Sequence, residues 1–311
     1  MHSLRTLLSG IVDYAGLFPP ARLDMAATVR NFAEYRAGPD AWMLGRLVVP
    51  VGRLDEFERC AKPLLPDGDD DEDVWIVTAL AAAAEDPQLE ADLEAIARFN
   101  DRHVADGEGA AFIDTVELKA SSAGAIDAVI DGLPEEIFPY FELPIQGPVG
   151  AAGDIRGLVA ALAGAEAGAK VRTGGLTPDA FPSVEQMASF IAACAAADVP
   201  FKATAGLHHP LRHESRETNC PMHGFLNVFV AACLAWAARL DARDIASVLR
   251  SETATPFVFD EDGIEAFGTR VAAERIAECR ERFAHSFGSC SFLEPLADLR
   301  ALNLVGAAHS G

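Results

Sequence analysis

Lysine is the scarcest charged residue of this chain: among 25 basic side chains only Lys62, Lys119, Lys170 and Lys202 are lysines. Arginine keeps its proton under all ordinary conditions, whereas a lysine can become the neutral amine that attacks a carbonyl carbon. Three of the four lysines fall in short apolar runs, where successive side chains of a strand point to opposite faces. In the run 111–119, Thr115, Glu117 and Lys119 oppose Phe112, Val116 and Leu118. Tyr140 and Glu142 likewise oppose Ile137, Phe141 and Leu143; Lys170 and Arg172 flank Val171; and Lys202 and Thr204 alternate with Phe201 and Ala203. A surface gathering Glu117, Lys119, Glu142, Lys170, Arg172 and Lys202 suits imine chemistry. Lys170 is the nucleophile of this reading, with its pKa lowered from about 10.4 by desolvation and by Lys202. The iminium acts as an electron sink, Glu117 or Glu142 moves protons, and Arg172 holds an anionic group. The plainer reading is a set of ion pairs, Glu117 with Lys119 and Glu142 with Arg172, that keeps strands in register. Burying several charges costs more than apolar packing, which favours a functional reason for the cluster.

The segment Gly168-Ala-Lys-Val-Arg-Thr-Gly-Gly175, then Pro182-Ser-Val-Glu-Gln-Met, then Pro200-Phe-Lys-Ala-Thr-Ala-Gly206 resembles deoxyribose-phosphate aldolase and its class I (Schiff-base) aldolase relatives. The likeness runs over about residues 168–212 and lies in a K-T-S-T-G-like strand, a helix opening with Val-Glu, and a K-A-S-G-G-I-R-like strand. It implies that Lys170 is the Schiff-base lysine and Lys202 the second lysine, with Asp114 or Glu117 as their acidic partner. It also implies a carbon–carbon lyase acting on a small anionic carbonyl substrate without a cofactor. Two positions depart from the family. Arg172 replaces a small hydroxyl residue, and Leu207-His208-His209-Pro210 replaces a phosphate-binding glycine loop. Thr204, Gly206, Arg172 and Arg212 are then the candidates for holding a carboxylate or phosphate.

Histidine supplies the rival chemistry. His208, His209, His213 and His223 lie within sixteen residues, with Cys220 among them. His208 and His209 with Glu117 and Glu142 would form a divalent-metal site, for zinc or manganese, in a hydrolase, lyase or isomerase. Without metal, His208 shares the inward parity of Lys202, Thr204 and Gly206 and is an acid–base candidate. Asp13, in Asp13-Tyr-Ala-Gly-Leu-Phe-Pro-Pro20, faces either the pocket or a turn. Cys290 or Ser289 has no evident base, and Gly174-Gly175 reads as a close-approach turn because G-x-G-x-x-G is absent.

Positioning these groups requires parallel strands. Candidate strands lie near 11–16, 44–51, 74–80, 111–119, 137–143, 168–173, 199–205 and 286–292, and they alternate with helical stretches that include Asp24–Ala37, Asp86–Asp106, Ile155–Ala167 and Ser183–Ala197. Eight βα units predict one (β/α)₈ TIM-barrel domain over residues 1–311, whose charged face points inward near the C-terminal ends of the strands. The connection between the seventh and eighth strands is elaborated, with helices near 224–239 and 242–250 and an aromatic segment Pro256–Phe259. Phe and Trp at helical spacing in 225–236 serve core packing or a subunit interface, which leaves a homo-oligomer open.

Composition narrows the classes further. Hydrophobic residues make up 50% and charged residues 23%, a globular balance. A net charge of −22 disfavours nucleic acid and anionic lipid as partners. The acidic run Asp67–Asp73 reads as a solvated loop, and six scattered cysteines without a C-x-x-C pair indicate neither disulfides nor a zinc ribbon. The run Leu4–Val12 is too short for a membrane span, so the expected compartment is the cytoplasm. A barrel that only binds its ligand is the non-enzymatic alternative.

Overall fold

Short runs rich in β-branched and aromatic residues pair side by side, and a helix returns the chain after most of them. The computed structural model describes residues 1–66, 74–105, 110–145, 155–175, 177–215 and 218–306, so the acidic run Asp67–Asp73 lies outside the described residues. The first part of the chain contributes β1 (Val12–Tyr14), β2 (Leu44–Pro50), β3 (Trp75–Leu80), β4 (Ala111–Lys119), β5 (Phe138–Glu142), β6 (Gly168–Arg172) and β7 (Phe201–Thr204). Helices α1 (His2–Leu8), α2 (Met25–Ala37), α3 (Leu54–Ala61), α4 (Gln88–Ala105), α5 (Ala123–Gly132), α6 (Ile155–Leu162) and α7 (Val184–Ala197) precede or separate them. Beyond β7 come an antiparallel pair, β8 (His213–Ser215) and β9 (Cys220–Met222), then α8 (Phe225–Ala238) and α9 (Ala242–Leu249). A three-stranded antiparallel sheet of β10 (Phe257–Phe259), β11 (Gly263–Ala266) and β12 (Thr269–Ala272) follows, then α10 (Ala273–Arg282), β13 (Ala284–Ser289) and α11 (Leu293–Ala301).

The barrel closes in the order β1-β13-β7-β6-β5-β4-β3-β2, with every pairing parallel. This is the expected (β/α)₈ TIM barrel, and β13 is its eighth strand. Apolar outward residues such as Val77, Ile113, Val116, Phe141, Val171, Phe201 and Phe287 join the core between strands and helices. Helix starts follow their caps. Asp24 accepts from the Ala27 amide at 2.7 Å, and Ser183 and Gln186 close a reciprocal capping box at the head of α7. The elaborated segment is built around α8, which is apolar on all sides (FLNVFVAACLAWAA) and is enclosed by α7, α9, α10 and β12. Its Phe225 and Phe229 are buried in the core, while Trp236 is half-buried. Among the described residues no helix is long and apolar enough to cross a membrane.

Two strand expectations need correction. The eighth strand occupies Ala284–Ser289 rather than 286–292, because Phe201 N–H donates to the Phe283 carbonyl and starts the pairing earlier. In β4, strict alternation breaks: Ile113 pairs with Val77 but Thr115 pairs with Thr78, so Asp114 is an extra residue in the ladder. The bulge puts Phe112 on the same side as Thr115 and Glu117, and Phe112 does not join the core with Ile113, Val116 and Leu118.

The loops leaving β6 and β7 press together at the barrel mouth. A Cβ on Gly174 would lie 2.9 Å from the Gly206 Cα, and one on Gly206 would lie 2.8 Å from the Thr173 carbonyl oxygen. Gly206 also has φ +75°, where side chains are strained. Gly206→Ala should destabilise the protein by about 1–3 kcal/mol, read as a lower urea midpoint; an unchanged midpoint would mean the two loops can part without cost.

Candidate active site

Six charged side chains inside the barrel form one alternating chain. Register brings Lys170 opposite Lys202 on neighbouring strands, and opposite Glu142 on the other side. Glu117 lies between the two lysines: Oε1 is 2.5 Å from Lys202 Nζ and Oε2 is 2.6 Å from Lys170 Nζ. Lys202 Nζ continues to Asp13 Oδ2 at 2.6 Å, and Lys170 Nζ to Glu142 Oε2 at 2.9 Å. Arg172 Nε then meets Glu142 Oε1 at 3.0 Å. The order is Asp13, Lys202, Glu117, Lys170, Glu142, Arg172, acid and base in turn, with no net charge.

Exposure grades this chain from floor to mouth. The Asp13 and Lys202 side chains are 0% and 1% exposed, Lys170 and Glu117 3% and 4%, Glu142 9% and Arg172 39%. Lys202 is thus sealed, whereas Lys170 is one carboxylate away from the guanidinium at the opening. Asp13 is fixed on both oxygens: Oδ2 accepts from Ser286 Oγ at 2.7 Å and Oδ1 from the Arg46 amide at 2.9 Å. Gly45 has no side chain where a Cβ would stand 2.5 Å from Asp13 Oδ1.

The electrostatics follow from the pairing. Burial alone would raise the Glu117 carboxyl, but the ammoniums of Lys170 and Lys202 outweigh it and hold its pKa at about 2. Burial opposes the charge of Lys202 as well, yet Asp13 and Glu117 lift that ammonium above its ordinary value. Glu142 is likewise lowered against burial by Lys170 and Arg172.

Beneath this chain lies a second polar layer. Arg46 grips Asp114 with two hydrogen bonds, Nε at 2.8 Å and Nη2 at 2.6 Å. Tyr140 is hydrogen-bonded to His285 Nδ1, and His285 Nε2 faces the Glu281 carbonyl at 2.9 Å. Burial and the Arg280 charge lower His285 to about 4, so it is neutral at pH 7. Its Nε2 then carries the proton, and the Tyr140 hydroxyl donates to Nδ1.

Of the residues predicted from sequence, Lys170, Lys202, Glu117, Glu142 and Arg172 come together, joined by Asp13. Glu142 does pair with Arg172, but Glu117 pairs with the two lysines rather than with Lys119, which sits exposed at the end of β4. Contrary to the expectation, Lys202 does not approach Lys170 directly; the two ammoniums meet across the Glu117 carboxylate they share. The open choice between Asp114 and Glu117 falls to Glu117, because Arg46 occupies Asp114. Thr204 ends β7 and its carbonyl accepts from the Thr173 amide at 2.8 Å. The inward parity of His208 fails: Ala205 and Gly206 have positive φ, the strand alternation stops there, and His208 Nδ1 turns to Glu294 Oε2 at 3.0 Å on α11. His209 turns to Asp298 on the same helix. The metal set His208, His209, Glu117 and Glu142 is therefore divided between rim and interior. Among the described residues no group of three or more His, Cys, Asp or Glu gathers as metal ligands. Ser289 donates to the Ser291 carbonyl at 2.7 Å, and burial pushes the Cys290 thiol up, away from thiolate chemistry.

Arg46, Tyr140, His285 and Ser286 were not singled out from sequence. Tyr140 carried the signal of inward parity, while the register shift between Ala284 and Phe287 hid His285 and Ser286.

Glu117 contributes stability that is present above its unfolded pKa of about 4.3 and is lost as pH falls toward 2. Glu117→Gln leaves two buried ammoniums without their common partner and should cost about 3–5 kcal/mol at pH 7. Urea midpoints at pH 7 and pH 3 check this: the loss should shrink at pH 3, and an equal loss at both values would refute the assignment.

No family model and no curated protein matches this chain. Distant similarity to solved structures is illustrated by three of them. A mandelate racemase/muconate lactonizing enzyme-like protein from Rubrobacter xylanophilus is 12% identical, with TM-score 0.40 over 65% of this chain and 48% of its own. The citrate lyase beta subunit from M. tuberculosis, complexed with oxaloacetate and magnesium, is 15% identical, with TM-score 0.37 over 79% and 100%. RipC from Yersinia pestis is 9% identical, with TM-score 0.33 over 67% and 90%. The chain spans about half the length of the first of these proteins.

Proposed function

We propose that this barrel is a class I aldolase-type lyase that forms an imine between Lys170 and a small anionic aldehyde, ketone or 2-oxo acid. The observation that carries the reading is the pair of register-matched buried lysines with one carboxylate between them near the C-terminal ends of the strands. The motif likeness over residues 168–212 points the same way, and the arginine at the mouth accounts for the anionic substrate.

Lys170 is the nucleophile because it is the lysine on the mouth side of the chain, and Lys202 is the fixed cation behind Glu117. Lys170 passes one proton to Glu142 and attacks the carbonyl carbon; the resulting carbinolamine takes that proton back as its hydroxyl leaves as water, which yields the iminium. In the cleavage direction Glu142, or a water it orients, removes the proton of the substrate's β-hydroxyl. The bond between the α and β carbons then breaks, its electron pair flows to the iminium nitrogen to give an enamine, and the β carbon leaves as an aldehyde. Protonation of the enamine carbon and addition of water to the iminium release the second product and regenerate Lys170. Arg172 holds the anionic end of the substrate.

The test is reduction of the protein with borohydride in the presence of aldehydes, ketones and 2-oxo acids, followed by intact mass and peptide mapping. A stable adduct on Lys170 is expected, lost in Lys170→Ala. In Lys202→Leu the adduct persists, with its pH dependence displaced upward because Glu117 then belongs to Lys170 alone. An adduct retained in Lys170→Ala moves the nucleophile to another lysine. Binding without any adduct turns the barrel into a ligand-binding protein or a metal-dependent enzyme.

A further inference from the structure

The ring of Tyr140 is a large group beneath the two lysines that the reaction does not use. Its centroid lies 5.3 Å from Lys202 Nζ, within the range in which an aromatic face attracts an ammonium. The ring is fitted to that place from three sides. Gly168, directly across on β6, has no side chain where a Cβ would stand 2.5 Å from the ring. The hydroxyl is tethered to His285 on β13. On β4, Glu117 is the register partner of Tyr140, so the ring and the shared carboxylate sit side by side.

We propose that Tyr140 is a positioning residue that holds the Lys202 ammonium against Glu117 and thereby keeps Glu117 shared between the two lysines. With the ring's attraction gone, Lys202 draws back toward Asp13, Glu117 turns wholly to Lys170, and Lys170 is more tightly protonated. The groups facing the two ammoniums are Asp13 from β1, Glu117 from β4, Glu142 and Tyr140 from β5, Arg172 from β6, and Ser286 and His285 from β13, with the Arg46–Asp114 pair below. None of the others presents an aromatic face to Lys202. The inference deepens the imine reading, but its test does not depend on turnover.

With only four lysines, isotopically labelled lysine gives a side-chain NMR spectrum of four signals, which can be followed in a pH titration. In the unaltered protein one signal, that of Lys202, should be displaced upfield by the ring current of Tyr140. Tyr140→Phe keeps the aromatic face and should keep both that displacement and the titration midpoint of Lys170. A ring-fluorinated phenylalanine at position 140 keeps shape and ring but empties the face of its negative charge; the Lys170 midpoint should then rise by about one pH unit. Tyr140→Leu should shift it in the same direction, and if that variant does not fold the fluorinated one decides. No upfield signal, a Lys170 midpoint unmoved by fluorination, or an equal shift in Tyr140→Phe would overturn the proposal. The borohydride experiment run on the same samples separates the two inferences: absence of an adduct in the unaltered protein removes the imine reading, while the titration still judges Tyr140.

Discussion

A single carboxylate serving two ammoniums is the constraint around which the barrel is arranged. Each Glu117 oxygen has its own lysine, and taking the shared carboxylate away from two ammoniums buried so deeply costs several kcal/mol (~3–5). The arrangement demands that β6 and β7 bring Lys170 and Lys202 level, and that β4 present an acid between them. It also demands an outer partner at each end: Asp13 for Lys202, Glu142 for Lys170. Five barrel strands thus contribute to one chain of charges, and their registers are tied to each other through it.

Much of this was legible in the chain as a string of letters. Lys170, Arg172, Lys202 and Glu142 sit in uninterrupted strands, where a period of two carries the inward face without error. Legibility ended where the backbone departs from that period. The extra residue at Asp114 turned Phe112 to the wrong face, and the positive φ of Ala205 and Gly206 carried His208 to the rim. Partners distant in sequence were equally out of reach: Arg46 and Asp114 are 68 residues apart, and Asp13 and Lys202 are 189 apart. Parity states which face a side chain takes, while pairing depends on which strands become neighbours and at what height. Lys119 shows the difference, since it shares the inward parity and pairs in register with Glu142, yet its side chain is exposed and not buried among the others.

The two polar layers divide the work of the interior. The lower one, Arg46 with Asp114 and Tyr140 with His285, satisfies its hydrogen bonds within the protein and gives the upper one a fixed floor. Each layer has one part-exposed guanidinium, Arg46 at 37% in the lower and Arg172 at 39% in the upper. Glycines 45 and 168 belong to this division: each leaves out a side chain where Asp13 or Tyr140 must pass.

The internal chain of three acids and three bases is neutral, so the entire charge of −22 is carried by the rest of the molecule. An anion approaching Arg172 must cross a repulsive field before it reaches the guanidinium. Dissolved salt weakens that field beyond about 8–10 Å at ionic strengths near 0.1 M, whereas the contact with Arg172 is too short to be screened as strongly. The approach of any anion to Arg172 is consequently opposed least at high ionic strength, the reverse of electrostatic steering.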